Sequence, residues 1–142
     1  MEKIESKGLI LPANISLVEY LNFGSRSVVS TSDRQLLLSD WEQLTREEKQ
    51  RNLNVIHAFQ PYRTHLGISV FPTCGYRSKR HELTKGRSGK SQHLLGAFDF
   101  TCNSKQELKR YADLLKDTWY GGFKYYENKN FIHLDLGEHR RW

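Results

Sequence analysis

Between Phe131 and Leu136 apolar and polar positions alternate, with Ile132, Leu134 and Leu136 on one side of an extended chain and His133 and Asp135 on the other. The pattern predicts a half-buried strand that turns a His and an Asp toward one surface. Ala97-Phe98-Asp99-Phe100-Thr101 predicts a second short strand, entered from a loop carrying Ser91, His93 and Gly96. Residues 45–66 place Leu53, Ile56, Phe59 and Tyr62 near helical spacing, with Pro61 as a point of kinking and Gly67 as the stop. A strand over 68–71 follows. Ser104 and Glu107 open a further helix with Leu108, Tyr111, Leu115 and Trp119 along one face, closed by Gly121-Gly122. Residues 123–126 and 131–136 then predict a hairpin across Glu127-Asn128-Lys129-Asn130. Nearer the start, Ser16 and Glu19 stand at capping-box spacing in a helix over 14–23 that Gly24 ends. Residues 25–33 read as a loop and Gln35-Leu36-Leu37-Leu38 as a short element.

These elements predict an α+β fold, a small, mainly antiparallel sheet with helices packed on one face and a site on the other. The length of 142 residues suits one domain over 1–142, and a hydrophobic content of 37% with 12% aromatics fills one core. Trp119, Tyr125, Tyr126 and Trp142 are assigned to core or hairpin packing, with Tyr126 also a candidate to line a cleft.

A net charge of +6 implies an anionic partner, which a cell-wall polymer or a nucleic acid would satisfy. No nucleic-acid reader motif is present, so no specific nucleic-acid partner is expected. The basic residues concentrate in 77–90, a run typical of a solvated loop. No apolar stretch reaches transmembrane length and Met1-Glu2-Lys3-Ile4-Glu5 begins no secretory signal, so synthesis in the cytoplasm is expected. Cys74 and Cys102 have no short-spaced metal motif and are expected as reduced thiols. A monomer is expected.

The two strands supply the candidate chemistry. His93, Asp99 and His133 offer two imidazoles and a carboxylate, the donor types of a zinc site that keeps a fourth position for water. Asp99, between two Phe, needs a partner or a metal if buried, and otherwise lies on the wet face of its strand. His57, His65, His81 and His139 stand outside any such pattern and read as surface or structural side chains.

The runs GYRSKRHELTKGRSGKSQHLLGAFDF and YYENKNFIHLDLGEHRRW resemble the D-alanyl-D-alanine metallopeptidase family of zinc enzymes, particularly small bacterial and phage members that cut the peptide part of peptidoglycan. The likeness rests on the motifs S-x-H-x-x-G-x-A-x-D and H-x-D, a G-Y-R-S segment and a C-terminal R-W. It implies a hedgehog or D,D-peptidase-like fold, Zn2+ held by His93, Asp99 and His133, and Arg77 as the group that binds an oxyanion or a substrate carboxylate. Ser91 would orient the ligand loop. Many relatives place an acid three residues before the last ligand, where this chain has Asn130. Asp135 is therefore the favoured general base, with support of a ligand His as its competing role and Glu127 as the second candidate. The His93 to Asp99 spacing is one residue shorter than the motif, so the loop has to absorb a deletion that would otherwise turn Asp99 to the wrong face. The resemblance implies a D,D-carboxypeptidase or endopeptidase acting on peptidoglycan stem peptides. Without a signal it would be a phage or prophage endolysin, reaching the wall at lysis or in a phage particle. The competing expectation is a noncatalytic module that binds wall or another anionic polymer on the same scaffold.

Overall fold

The computed structural model describes residues 30–78, 83 and 96–141. The helix expected over 14–23, the basic residues 79–82 and 84–90, Ser91, His93 and Trp142 lie outside the described residues. Helix α1 (Thr31–Gln43) opens where Ser30 accepts a hydrogen bond from the Asp33 amide at 3.2 Å. It corrects two expectations, since the end of the supposed loop 25–33 is its cap and first turn, and the short element at 35–38 is its middle. Its buried anchors are Leu37 and Trp41, one turn apart, while the polar remainder hides the helical period.

Helix α2 (Arg46–Leu66) begins in a complete capping box. The Glu48 amide donates to Thr45 Oγ1 at 3.1 Å and the Thr45 amide to Glu48 Oε1 at 2.9 Å. Gly67, at φ 65°, ends it by donating to the Arg63 carbonyl. Pro61 sits inside the helix without terminating it. Leu53, Val55, Ile56 and Phe59 form its buried face.

Strand β1 (Phe71–Cys74) lies later than the strand expected over 68–71. Ile68 and Val70 are buried as expected, but the Ile68 carbonyl accepts from the Tyr111 hydroxyl at 2.5 Å instead of joining a ladder. Pro72 has no amide hydrogen to donate, and β1 accommodates it by forming the sheet edge, with an irregularity between Pro72 and Cys74. Strand β2 (Ala97–Thr101) follows, then helix α3 (Lys105–Thr118), capped by Ser104 as expected. Strands β3 (Gly122–Tyr126) and β4 (Phe131–Asp135) form the expected hairpin around a 3₁₀ turn at Glu127–Lys129. Asn130 completes that turn at φ 61°, a conformation Asn tolerates better than most residues. A two-residue strand β5 (Arg140–Arg141) pairs parallel to β3.

The strand order is β1-β2-β4-β3-β5, antiparallel except for β3 with β5, so the sheet is mixed. Alternation along β2 and β4 sends Phe98, Phe100, Ile132 and Leu134 into the core with α2 and α3. Phe59 of α2 meets Phe98, Phe100 and Tyr111 with ring centroids 4.9–5.5 Å apart. Trp119 is buried in the same core and Tyr125 packs against it. The other face of β2 and β4 carries Asp99, His133 and Asp135.

Candidate functional site

Asp99 and His133 are register partners on the central strands β2 and β4. Cross-strand partners share a face, so the side chains meet, and Asp99 Oδ1 lies 2.8 Å from His133 Nδ1. The shortened loop before β2 therefore still delivers Asp99 to the His133 face. Gly96, the residue before the strand, has φ 116°, and a Cβ there would meet the Arg51 carbonyl oxygen at 3.0 Å. This glycine turn feeds the chain into β2 close against α2.

The other nitrogen of His133, Nε2, lies 2.8 Å from Asp135 Oδ2. Asp135 is fully buried, and four groups converge on its carboxylate: the Gly122 amide at 3.2 Å and the Gly137 amide at 2.9 Å on Oδ1, His133 Nε2 and Arg140 Nη2 (3.2 Å) on Oδ2. Burial works to raise its pKa, but the hydrogen bonds from His133 and Gly137, with the charges of His133 and Arg140, outweigh burial and hold it below the ordinary carboxylate value. Both ring nitrogens of His133 thus face carboxylate oxygens, and with Nε2–H donated to Asp135 the Nδ1 lone pair would be free for an ion held jointly with Asp99.

The backbone around Asp135 leaves no room for larger residues. A Cβ on Gly122 would stand 2.5 Å from both carboxylate oxygens, and one on Gly121 would stand 2.0 Å from the Asp135 carbonyl oxygen. Trp119 Nε1 donates to that carbonyl at 3.1 Å. The Gly121-Gly122 pair thus seats the acid of H-x-D as well as joining α3 to β3.

The remaining described candidates make contacts of their own. Arg77 is buried and its Nη1 donates to the Tyr76 carbonyl at 2.7 Å, while Tyr76 packs edge-on against Trp41 of α1. Arg77 and Ser78 are thus packed rather than part of a solvated loop. Glu127 is exposed in the hairpin turn, beyond the Tyr126–Phe131 rung; burial first, and then the Glu127 charge, raise the pKa of Tyr125, whose ring lies on the helix-facing side. Among the described residues no group of three His, Cys, Asp or Glu side chains forms a metal-holding cluster. Cys74 and Cys102 are free thiols, and burial pushes Cys102 up to about 12.

A cleft of about 520 Å³ opens beside Asp99, walled by Cys74 and Thr101 on one side and by Lys129, Asn130 and Phe131 on the other. A peptide lying there would run along the sheet toward the hairpin turn. Arg140 is the site residue that sequence reading passed over. The available signal was a basic residue just past the Gly137 turn, within reach of the Asp of H-x-D.

Residues 31–135 match the peptidase M15 family profile. The probable peptidoglycan L,D-endopeptidase MepK of Haemophilus influenzae is 33% identical over 100 residues, covering 63% of this chain and 52% of that protein. The chain therefore spans about half the length of this curated relative. No solved structure matches the chain.

Proposed function

The chain belongs to the peptidase M15 family, and from that premise we propose that it is a zinc-dependent hydrolase of stem-peptide bonds in bacterial peptidoglycan. The observation that carries the proposal is the Asp99–His133 pair, two zinc-type donors 2.8 Å apart on one face of the central strands. The donor set fits the metal, because imidazole that binds zinc characteristically donates its other N–H to a carboxylate, the place Asp135 occupies. Asp99 and His133 would hold the ion together with His93 from the loop before β2. Bound zinc would polarise the scissile carbonyl and bring the pKa of a bound water toward neutrality.

The chain's own residues have separable tasks in this proposal. Asp135 orients His133 and fixes its tautomer, since a buried carboxylate already facing four donors is poorly placed to take a proton from water. That is the second of the two roles the sequence offered for it. Glu127 is the solvent-facing acid and the variant to test for proton transfer. Arg77, held by the Tyr76 carbonyl, is the candidate anion-binding group. The cleft beside Asp99 would receive the peptide. The name of the Haemophilus relative makes an L,D-endopeptidase reaction the first to test beside D,D-carboxypeptidase activity.

The test uses native protein, His133→Ala and Glu127→Gln, each assayed for bound zinc and incubated with purified peptidoglycan while new amino groups and fragment masses are followed. One zinc per chain with cleavage that His133→Ala abolishes supports the proposal, and the fragment masses name the bond. Folded, zinc-loaded native protein that binds wall and releases no amino groups refutes it in favour of a binding module.

A further inference from the structure

The cleft beside Asp99 ends at the β3–β4 turn, and that end carries positive charge on an aromatic ledge. Phe131 stacks on its cross-strand partner Tyr126 with ring centroids 4.3 Å apart. Two ammonium groups converge on the Tyr126 ring, Lys124 Nζ at 4.9 Å and Lys129 Nζ at 5.9 Å from its centroid. Lys124 is the register partner of His133, so the basic strip runs from the proposed metal rung to the turn. Lys129 and Phe131 both line the cleft.

The turn beneath these groups is fixed. Asn130 takes its left-handed conformation while its carbonyl accepts from Thr101 Oγ1 at 2.8 Å, tying the turn to β2. Two like charges brought to one ring repel each other, and the ring face offsets only part of that repulsion. The cleft is thereby polarised, with the Asp99 carboxylate at one end and the Lys129 ammonium at the other. From the Asp99–His133 rung to the Tyr126–Phe131 rung is about 7 Å, two residues of extended chain.

Resting on the peptidase reading, we propose that Lys129 and Lys124, on the Tyr126–Phe131 stack, form a carboxylate subsite that selects stem peptides bearing a free carboxylate about two residues from the cut amide. The same peptide with that carboxylate amidated keeps its shape and loses the charge, so it is the discriminating competitor. Lys129 reaches the substrate from the cleft wall, and Lys124 reinforces the field from the neighbouring strand.

The experiment compares a synthetic stem peptide with its amidated counterpart, as substrates and as equilibrium ligands, using the zinc-loaded full chain, Lys129→Gln, Lys129→Arg and Lys124→Gln. Wild type is expected to favour the free carboxylate about fivefold, the scale of a solvent-accessible ion pair, in KM rather than kcat. Lys129→Gln should bring the two peptides level, Lys129→Arg should restore the preference, and Lys124→Gln should reduce it. Equal binding of both peptides by wild type, or a preference that survives Lys129→Gln, overturns the subsite. If wild type cleaves neither peptide, the peptidase reading falls, and the binding ratio alone decides the subsite.

Discussion

Replacing Asp135 by Asn tests whether a buried carboxylate sets the face that His133 shows to Asp99. The amide is nearly isosteric, and its oxygen can keep the Gly122 and Gly137 amides that Oδ1 accepts now. Its NH2 group then confronts His133 Nε2 and Arg140 Nη2, which approach Oδ2 at 2.8 and 3.2 Å. Arg140 can only donate, so that contact is lost. Imidazole can answer by releasing its Nε2 proton and holding the remaining one on Nδ1, which rescues one hydrogen bond and keeps an N–H on Asp99. Losing this charge-assisted bond, made to a fully buried carboxylate by a half-exposed Arg140, costs about 1–1.5 kcal/mol, a measurable part of the roughly 5–15 kcal/mol that holds a domain folded. The Nδ1 proton occupies the lone pair that zinc would use, and loss of such a supporting carboxylate typically weakens metal binding about 10–100-fold. Urea unfolding of metal-free protein measures the first effect and chelator competition for zinc the second. An Asp135→Asn protein with native urea midpoint and native zinc affinity would refute the reasoning, because it would show that His133 needs no buried anion to orient it.

Other perturbations reach the same structure from different sides. Gly122→Ala would drive a Cβ to 2.5 Å from both Asp135 oxygens; it is expected to cost about 1–3 kcal/mol in urea unfolding and to weaken zinc binding though no charge has changed. Thr45→Ala removes the acceptor for the Glu48 amide and should cost about 1 kcal/mol without affecting zinc binding. The Glu48 carboxylate is held below its ordinary pKa, first by the Thr45 amide. Its contribution is therefore present above the unfolded value near 4.5 and lost as pH falls through the folded one, which acid titration of native protein against Glu48→Gln would reveal. At the alkaline end, burial first of all pushes Tyr76, Tyr111 and Cys102 up to about 12. Their neutral forms stabilise the fold fully below their unfolded values of about 8.5–10 and progressively less as pH rises toward 12, so the urea midpoint should fall over that window, a trend that Tyr111→Phe should weaken.

What was legible in the sequence followed from local signals. The apolar spacing from Leu53 with the Gly67 stop, the Ser104 cap and the alternation through His133 placed two helices and the hairpin close to their observed bounds. That Asp99 shares the His133 face was not legible, because it depends on the register of β2 on β4. Helix α1 was hidden because, among its described side chains, only Leu37 and Trp41 are fully buried in the core. Strand β1 was misplaced because Ile68 and Val70 look like strand residues but serve the core from an irregular segment, while Pro72 argued against the strand that exists. The role of Asp135 was ambiguous in sequence because the donors that fill its carboxylate, Gly122, Gly137 and Arg140, arrive from three places along the chain. Strand β5 is too short to leave a periodic trace, so nothing marked the sheet as mixed.

The two borders of the sheet bear on how the protein meets copies of itself. A bare strand presents a row of unused amide and carbonyl groups on which a second molecule can continue the ladder, the first step toward aggregates. Here one border carries Pro72 and a bulge, so its hydrogen-bonding row is interrupted. The other is covered for only two residues by β5, with Arg140 and Arg141 supplying charges that repel an incoming strand. Arg141 also donates to the carbonyls of Lys116, Trp119 and Gly121, fastening that border to the end of α3. Among the described residues neither border offers a long regular template to an incoming strand.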